Sequence, residues 1–98
     1  MKKYELVNET EFVDEAGVVF LLKFFITDNS DCREEGLYGI VVEKHLKSLD
    51  NELLESEDSG NLPFNKKQVK SIANLLARNK ITPISFLYVI DDYIGYME

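Results

Sequence analysis

One cysteine, Cys32, and one histidine, His45, are the only residues of their kinds in the chain. A thiolate–imidazole nucleophile needs the two in hydrogen-bond contact and a third group orienting the ring. Cys32 falls in a polar loop and His45 near a strand end, so nothing in their spacing requires a meeting, and a loop thiol with a surface histidine is the plainer reading. A structural zinc site would want four such ligands. The loop Asp28-Asn29-Ser30-Asp31-Cys32-Arg33-Glu34-Glu35-Gly36 has the acid content of a calcium loop. However, Arg33 stands where the turn glycine belongs and Cys32 where an oxygen ligand is needed. The second acidic cluster, Glu55, Glu57 and Asp58, lacks ligand spacing as well. Ser85 has no glycine-flanked elbow, and no phosphate loop or dinucleotide fingerprint follows any strand. Asp91 and Asp92, adjacent on a helix, point about 100° apart and form no dyad. The residues therefore predict no catalytic group, no metal site and no cofactor.

The last two predicted helices invite a helix-turn-helix reading, with Lys66, Lys67, Lys70, Arg78 and Lys80 on the first helix and the turn. In that motif the second helix enters the major groove. Here it offers Asp91 and Asp92, which would face phosphates, so charge argues against nucleic acid. The chain of 98 residues has a net charge of −7, unevenly spread: residues 1–62 hold six basic and fifteen acidic groups (−9), residues 63–98 five and three (+2). The lone cysteine excludes an internal disulfide and fits a reducing compartment. The longest apolar runs, Val18 to Leu22 and Phe86 to Ile90, are far below the ~20 residues that cross a bilayer. The opening residues lack a signal-peptide core, so the expectation is a cytoplasmic protein with no membrane partner.

The elements that must position these residues follow from period. Residues 4–13 read as a strand, with Tyr4, Leu6, Asn8, Thr10 and Phe12 on one side and Glu5, Val7, Glu9 and Glu11 on the other. Asp14 to Gly17 is a turn into the strand at 18–27, rich in Val, Phe and Ile. A third strand is read over 37–45. From Leu46 to Gly60 a short helix competes with a fourth strand at about 49–56, turned back at Asp50-Asn51, and Glu55 to Asn61 reads as a solvated acidic loop. Asn65 with Gln68 makes a capping box, and Phe64 with Val69 a hydrophobic staple, for a helix at 66–78. Asn79 is placed as its left-handed stop. Thr82-Pro83 opens a second helix at 83–94, with a stripe of Ile84, Leu87, Ile90 and Ile94 and Phe86 beside it. Strands first and helices last mean one α+β domain: a three- to four-stranded antiparallel sheet with two C-terminal helices on one face.

That arrangement leaves an anomaly. With the helices over Phe20, Leu22, Phe24 and Ile40, the opposite face should be polar. It carries Val19, Leu21 and Phe25 beside Lys23 on the second strand, and Leu37 and Val41 on the third. A contiguous apolar patch of this kind marks an interface, with a protein partner or with a second copy of the chain. Leu46 to Leu54 folding back across the face would account for it equally well, and a scatter of exposed hydrophobics of the ordinary kind is the third possibility.

The stretches Tyr38-Gly39-Ile40-Val41-Val42-Glu43-Lys44 and Leu75-Leu76-Ala77-Arg78-Asn79-Lys80-Ile81-Thr82-Pro83, with Val89-Ile90-Asp91-Asp92-Tyr93 closing, resemble a family of short uncharacterised proteins from Gram-positive, clostridia-like bacteria that carry a domain of unknown function. The resemblance spans most of the chain, while Lys47 to Asn61 is longer and more acidic than the family's pattern. It implies the fold and a bacterial cytoplasm, and brings no activity or site residue. The expected function is a small non-enzymatic interaction, regulatory or accessory module. The alternative is a ligand binder or enzyme using a cleft between helices and sheet, with Cys32, His45 or carboxylates as its groups.

Overall fold

The structure, a computed structural model, describes residues 3–28, 38–48 and 50–97. Cys32, Leu37 and the acidic loop from Asn29 to Gly36 lie outside the described residues. Four strands, β1 (Lys3–Val13), β2 (Val19–Asp28), β3 (Tyr38–Leu46) and β4 (Leu53–Leu62), are followed by α1 (Lys66–Arg78) and α2 (Pro83–Met97). The strands form one antiparallel sheet in the order β1-β2-β3-β4. This is the α+β class expected from the strand-then-helix order.

The first hairpin is closed by Asp14. Its Oδ1 accepts the Ala16 and Val18 backbone N–H groups, each at 2.9 Å, and Gly17 takes a φ of +84° that a side chain would resist. The register of β1 departs from strict alternation: Leu6 pairs with Phe25 and Asn8 with Phe24, leaving Val7 as a bulge. An extra residue reverses the side each later side chain takes. Tyr4 and Leu6 therefore share a face with Phe25, while Asn8, Thr10 and Phe12 turn to the helices, and the single face expected for these five residues is corrected.

The helices share the other face. Val69, Ile72, Ala73, Leu76 and Ala77 recur at helical spacing on α1 and are buried against Leu22, Phe24, Ile26, Ile40 and Val42 of the sheet. The capping box at Asn65 and Gln68 is formed in both directions, at 2.8 and 2.9 Å, and Phe64 packs on the same core as Val69. Asn79 has a φ of −92°, and the left-handed residue is Lys80, φ 53°. The Lys80 N–H bonds to the Ala77 carbonyl and the Ile81 N–H to the Leu76 carbonyl, a Schellman stop one residue beyond the expected position.

Helix α2 is rotated from its expected phase. Phe86 and Ile90 are buried, Val89, Tyr93 and Ile94 pack beside them, and Ile84 is 70% exposed with Leu87 at 39%. A helix apolar on both sides offers two stripes, and period alone does not choose between them.

The fourth strand lies at Leu53–Leu62, later than 49–56, and takes in the acidic stretch expected as a loop. Two register breaks let it do so. At one of them the Ser59 hydroxyl accepts the Ile40 N–H at 3.0 Å, Asp58 Oδ1 accepts the Gly60 N–H, and Gly60 has a φ of +71°. Charge on an edge strand resists pairing with another chain, so acids suit β4 better than a hydropathy reading allows.

Candidate functional site

On the helix-free face the strand register sets side chains in cross-strand rows. Tyr4, Thr27 and Gly39 form the first, Leu6, Phe25, Val41 and Asp58 the second, and Glu9, Lys23, Glu43 and Ser56 the third. Glu11, Leu21, His45 and Leu53 form the fourth, and Val13 with Val19 closes the hairpin end. All four residues expected from sequence, Val19, Leu21, Phe25 and Val41, stand on this face. The β3–β4 connection turns at Asn51 and returns as an edge strand, so Leu46 to Leu54 does not lie across them.

The charged third row divides the apolar residues into two groups. At the hairpin end Lys47 forms an ion pair with Glu11, on the far side of β2 in the strand order. At the other end Phe25 is half-buried and Val41 is buried, while Tyr4 and Leu6 remain 59% and 49% exposed. A shallow groove of about 250 Å³ opens there, lined by Tyr4, Phe25, Val41, Glu43, Ser56 and Asp58. Sequence period misses Tyr4 and Leu6 because the Val7 bulge alone puts them on this face.

His45 is 9% exposed and tied at both nitrogens: Nδ1 lies 3.0 Å from the Asn51 carbonyl and Nε2 2.8 Å from Glu43 Oε1. A ring donating from both sides satisfies both acceptors, and either neutral tautomer leaves one contact unmade. The imidazole thus links Glu43 to the β3–β4 turn. Glu55 and Glu57 point to one side of β4 and Asp58 to the other, as their register with Lys44, Val42 and Val41 requires, which divides the second acidic cluster.

Between β1 and α1 lies a polar cleft lined by Asn8, Glu9, Thr10, Asn74, Ala77 and Arg78, where Asn8 Nδ2 donates to Asn74 Oδ1 at 3.1 Å. It sits across the sheet from His45. Fold and surface together define a two-layer α+β domain with one sheet face roofed by helices and the other met by no helix or strand among the described residues. The chain belongs to DUF6514, a family of unknown function whose model matches residues 3–96. Comparison with characterised proteins and with solved structures returns no match. No helix among the described residues is long and apolar enough to cross a membrane.

Proposed function

We propose that this protein is a non-enzymatic interaction module, a small regulatory or accessory protein that binds another protein through the sheet face opposite its helices. One observation carries the reading: both helices pack on the same side of the sheet, leaving Tyr4, Leu6, Phe25 and Val41 together on the other. Strands of about ten residues at ordinary spacing give that face about 33 Å by about 19 Å in projection. This is the scale of one side of a standard protein interface, about 800 Å². The catalytic alternative finds less support, since His45 is held at both nitrogens by structural partners. The likeness of its Tyr-Gly-Ile strand and Thr-Pro join to clostridia-like proteins, with the unpaired cysteine, supports a Gram-positive bacterial cytoplasm as the setting.

A photocrosslinking residue placed at Leu6 in the native cell tests this. A discrete protein adduct, with a partner or with a second copy, is expected from position 6 and not from Glu15 in the hairpin turn. Equal labelling from both positions, or none from position 6, would overturn it.

A further inference from the structure

We infer that the outer edge of β1 and the flank of α1 form a groove that receives an extended peptide of a partner protein as a fifth strand, with its carboxylates turned toward α1. This surface is separate from the sheet face opposite the helices. The backbone supplies the first reason. β1 ends the sheet, and no described strand lies beyond it. Asp14 donates its N–H to the Val18 carbonyl across the first hairpin. Main-chain groups alternate in direction along an antiparallel strand, so from the Val7 bulge onward Asn8, Thr10 and Phe12 turn theirs to β2. Glu9, Glu11 and Val13 turn theirs outward, where no described residue pairs with them. An extended segment supplies donors and acceptors at the two-residue repeat that such an edge requires.

The second reason is the wall that α1 adds. Lys66, Lys70, Asn74 and Arg78 recur every four residues and share one flank of the helix. Two of them touch β1: Lys66 Nζ lies 3.6 Å from Glu5 Oε1, and Asn74 Oδ1 accepts the Asn8 side-chain N–H at 3.1 Å. The helix therefore runs beside the strand in the same direction, and two clefts open along their seam. One, of about 350 Å³, has Lys3, Glu5 and Lys66 in its lining. The other, of about 360 Å³, has Asn8, Thr10, Asn74 and Arg78.

Charge identifies the occupant. α1 contains no acidic residue, and Lys70 and Arg78 form no ion pair among the described residues. A carboxylate on the helix side of an added strand meets these two cations, and a guanidinium can take it with two parallel hydrogen bonds. On the other side of the sheet Glu9 and Glu11 would stand next to the added strand, and like charges side by side are destabilising. The segment therefore carries its acids on the helix side alone. The same two glutamates argue against a second copy. Antiparallel pairing of two β1 edges about Glu9, Thr10 or Glu11 sets Glu9 opposite Glu9, Glu9 opposite Glu11, or Glu11 opposite Glu11.

The test uses the intact protein and a synthetic peptide of about eight residues that alternates glutamate and threonine. Binding is read by fluorescence anisotropy at physiological ionic strength and located by amide hydrogen exchange. The Glu9 and Glu11 N–H groups, fast in the free protein, are expected to slow about tenfold or more in the complex, while those of Asn8 and Thr10 are slow in both. Lys70→Gln with Arg78→Gln should weaken binding about tenfold. Lys67→Gln with Lys80→Gln is an equal charge change, with Lys67 lining the cleft on the α2 side of the helix, and should leave binding unchanged. Equal weakening by both pairs would reduce the effect to the overall charge of α1 and overturn the inference. So would equal binding of a peptide carrying lysine in place of glutamate, binding that leaves the Glu9 and Glu11 amides fast, or no binding up to about 1 mM peptide. A dimer in sedimentation whose Glu9 and Glu11 amides are slow without peptide would put a second copy on this edge instead. The crosslink from position 6 reads the sheet face alone, so either reading can fail without the other.

Discussion

Gly39 occupies the tightest position on the face opposite the helices. A Cβ built there would lie 2.3 Å from the Gly60 carbonyl oxygen and 2.9 Å from Thr27 Oγ1. The close approach lies at the β4 break, where the Ser59 hydroxyl accepts the Ile40 N–H and donates to the Gly60 carbonyl at 2.7 Å. Gly39→Ala must move one backbone or the other, since the obstructing atom is main chain, and overpacking of this kind costs about 1–3 kcal/mol. A lowered midpoint in urea with an unchanged slope is the expected result, and an unchanged midpoint would mean that the β4 break does not press on β3. Thr27, 1% exposed, carries a hydroxyl with no hydrogen-bond partner among the described residues, so the same corner holds a buried polar atom.

Among the elements, α2 is where the sequence pattern and the packing part company. Ile84 and Phe86 are each candidates for the core stripe by period, and the structure buries Phe86 completely while leaving Ile84 and Tyr88 70% and 76% exposed. Phe86→Ala should therefore cost about 3–5 kcal/mol, and Ile84→Ala should stay within about 0.5 kcal/mol. Chemical denaturation of the two variants checks the helix phase, and a reversed order would rotate α2 by more than a quarter turn. The same contrast shows what is legible from residues alone. The cap at Asn65, the hairpin at Asp14 to Gly17 and the α1 stripe each have one local solution, and the pattern finds it. The Val7 bulge, the two β4 breaks and the phase of α2 depend on what lies across the sheet or on the far side of the helix. One-dimensional period carries no trace of those contacts, so it keeps Tyr4 and Leu6 on one side with Asn8, Thr10 and Phe12 and sets β4 too early.

Across the whole molecule, charge is layered. The sheet and its turns hold most of the acids, while the exposed side of α1 presents Lys66, Lys67, Lys70 and Arg78. Lys66 reaches the sheet only at its edge, 3.6 Å from Glu5. Inside the molecule the layers are joined mainly by apolar contacts, with the Asn8–Asn74 bond beside them, and the face opposite the helices keeps its acids and its exposed apolar residues together. If that surface exists for a partner, its most exposed members add little to folding and much to association. Tyr4→Ser with Leu6→Ser is then expected to hold stability within about 1 kcal/mol, since surface changes mostly fall within about 0.5 kcal/mol each. The same variant should lose the crosslinked adduct formed from a probe at Leu53, on the same face. Phe25→Ser, half-buried against Leu6 and Val41, should instead lower the thermal midpoint along with binding. If the Tyr4 and Leu6 double variant unfolds as Phe25→Ser does, those side chains serve the domain's own core, and the face has no surface to spare for another molecule.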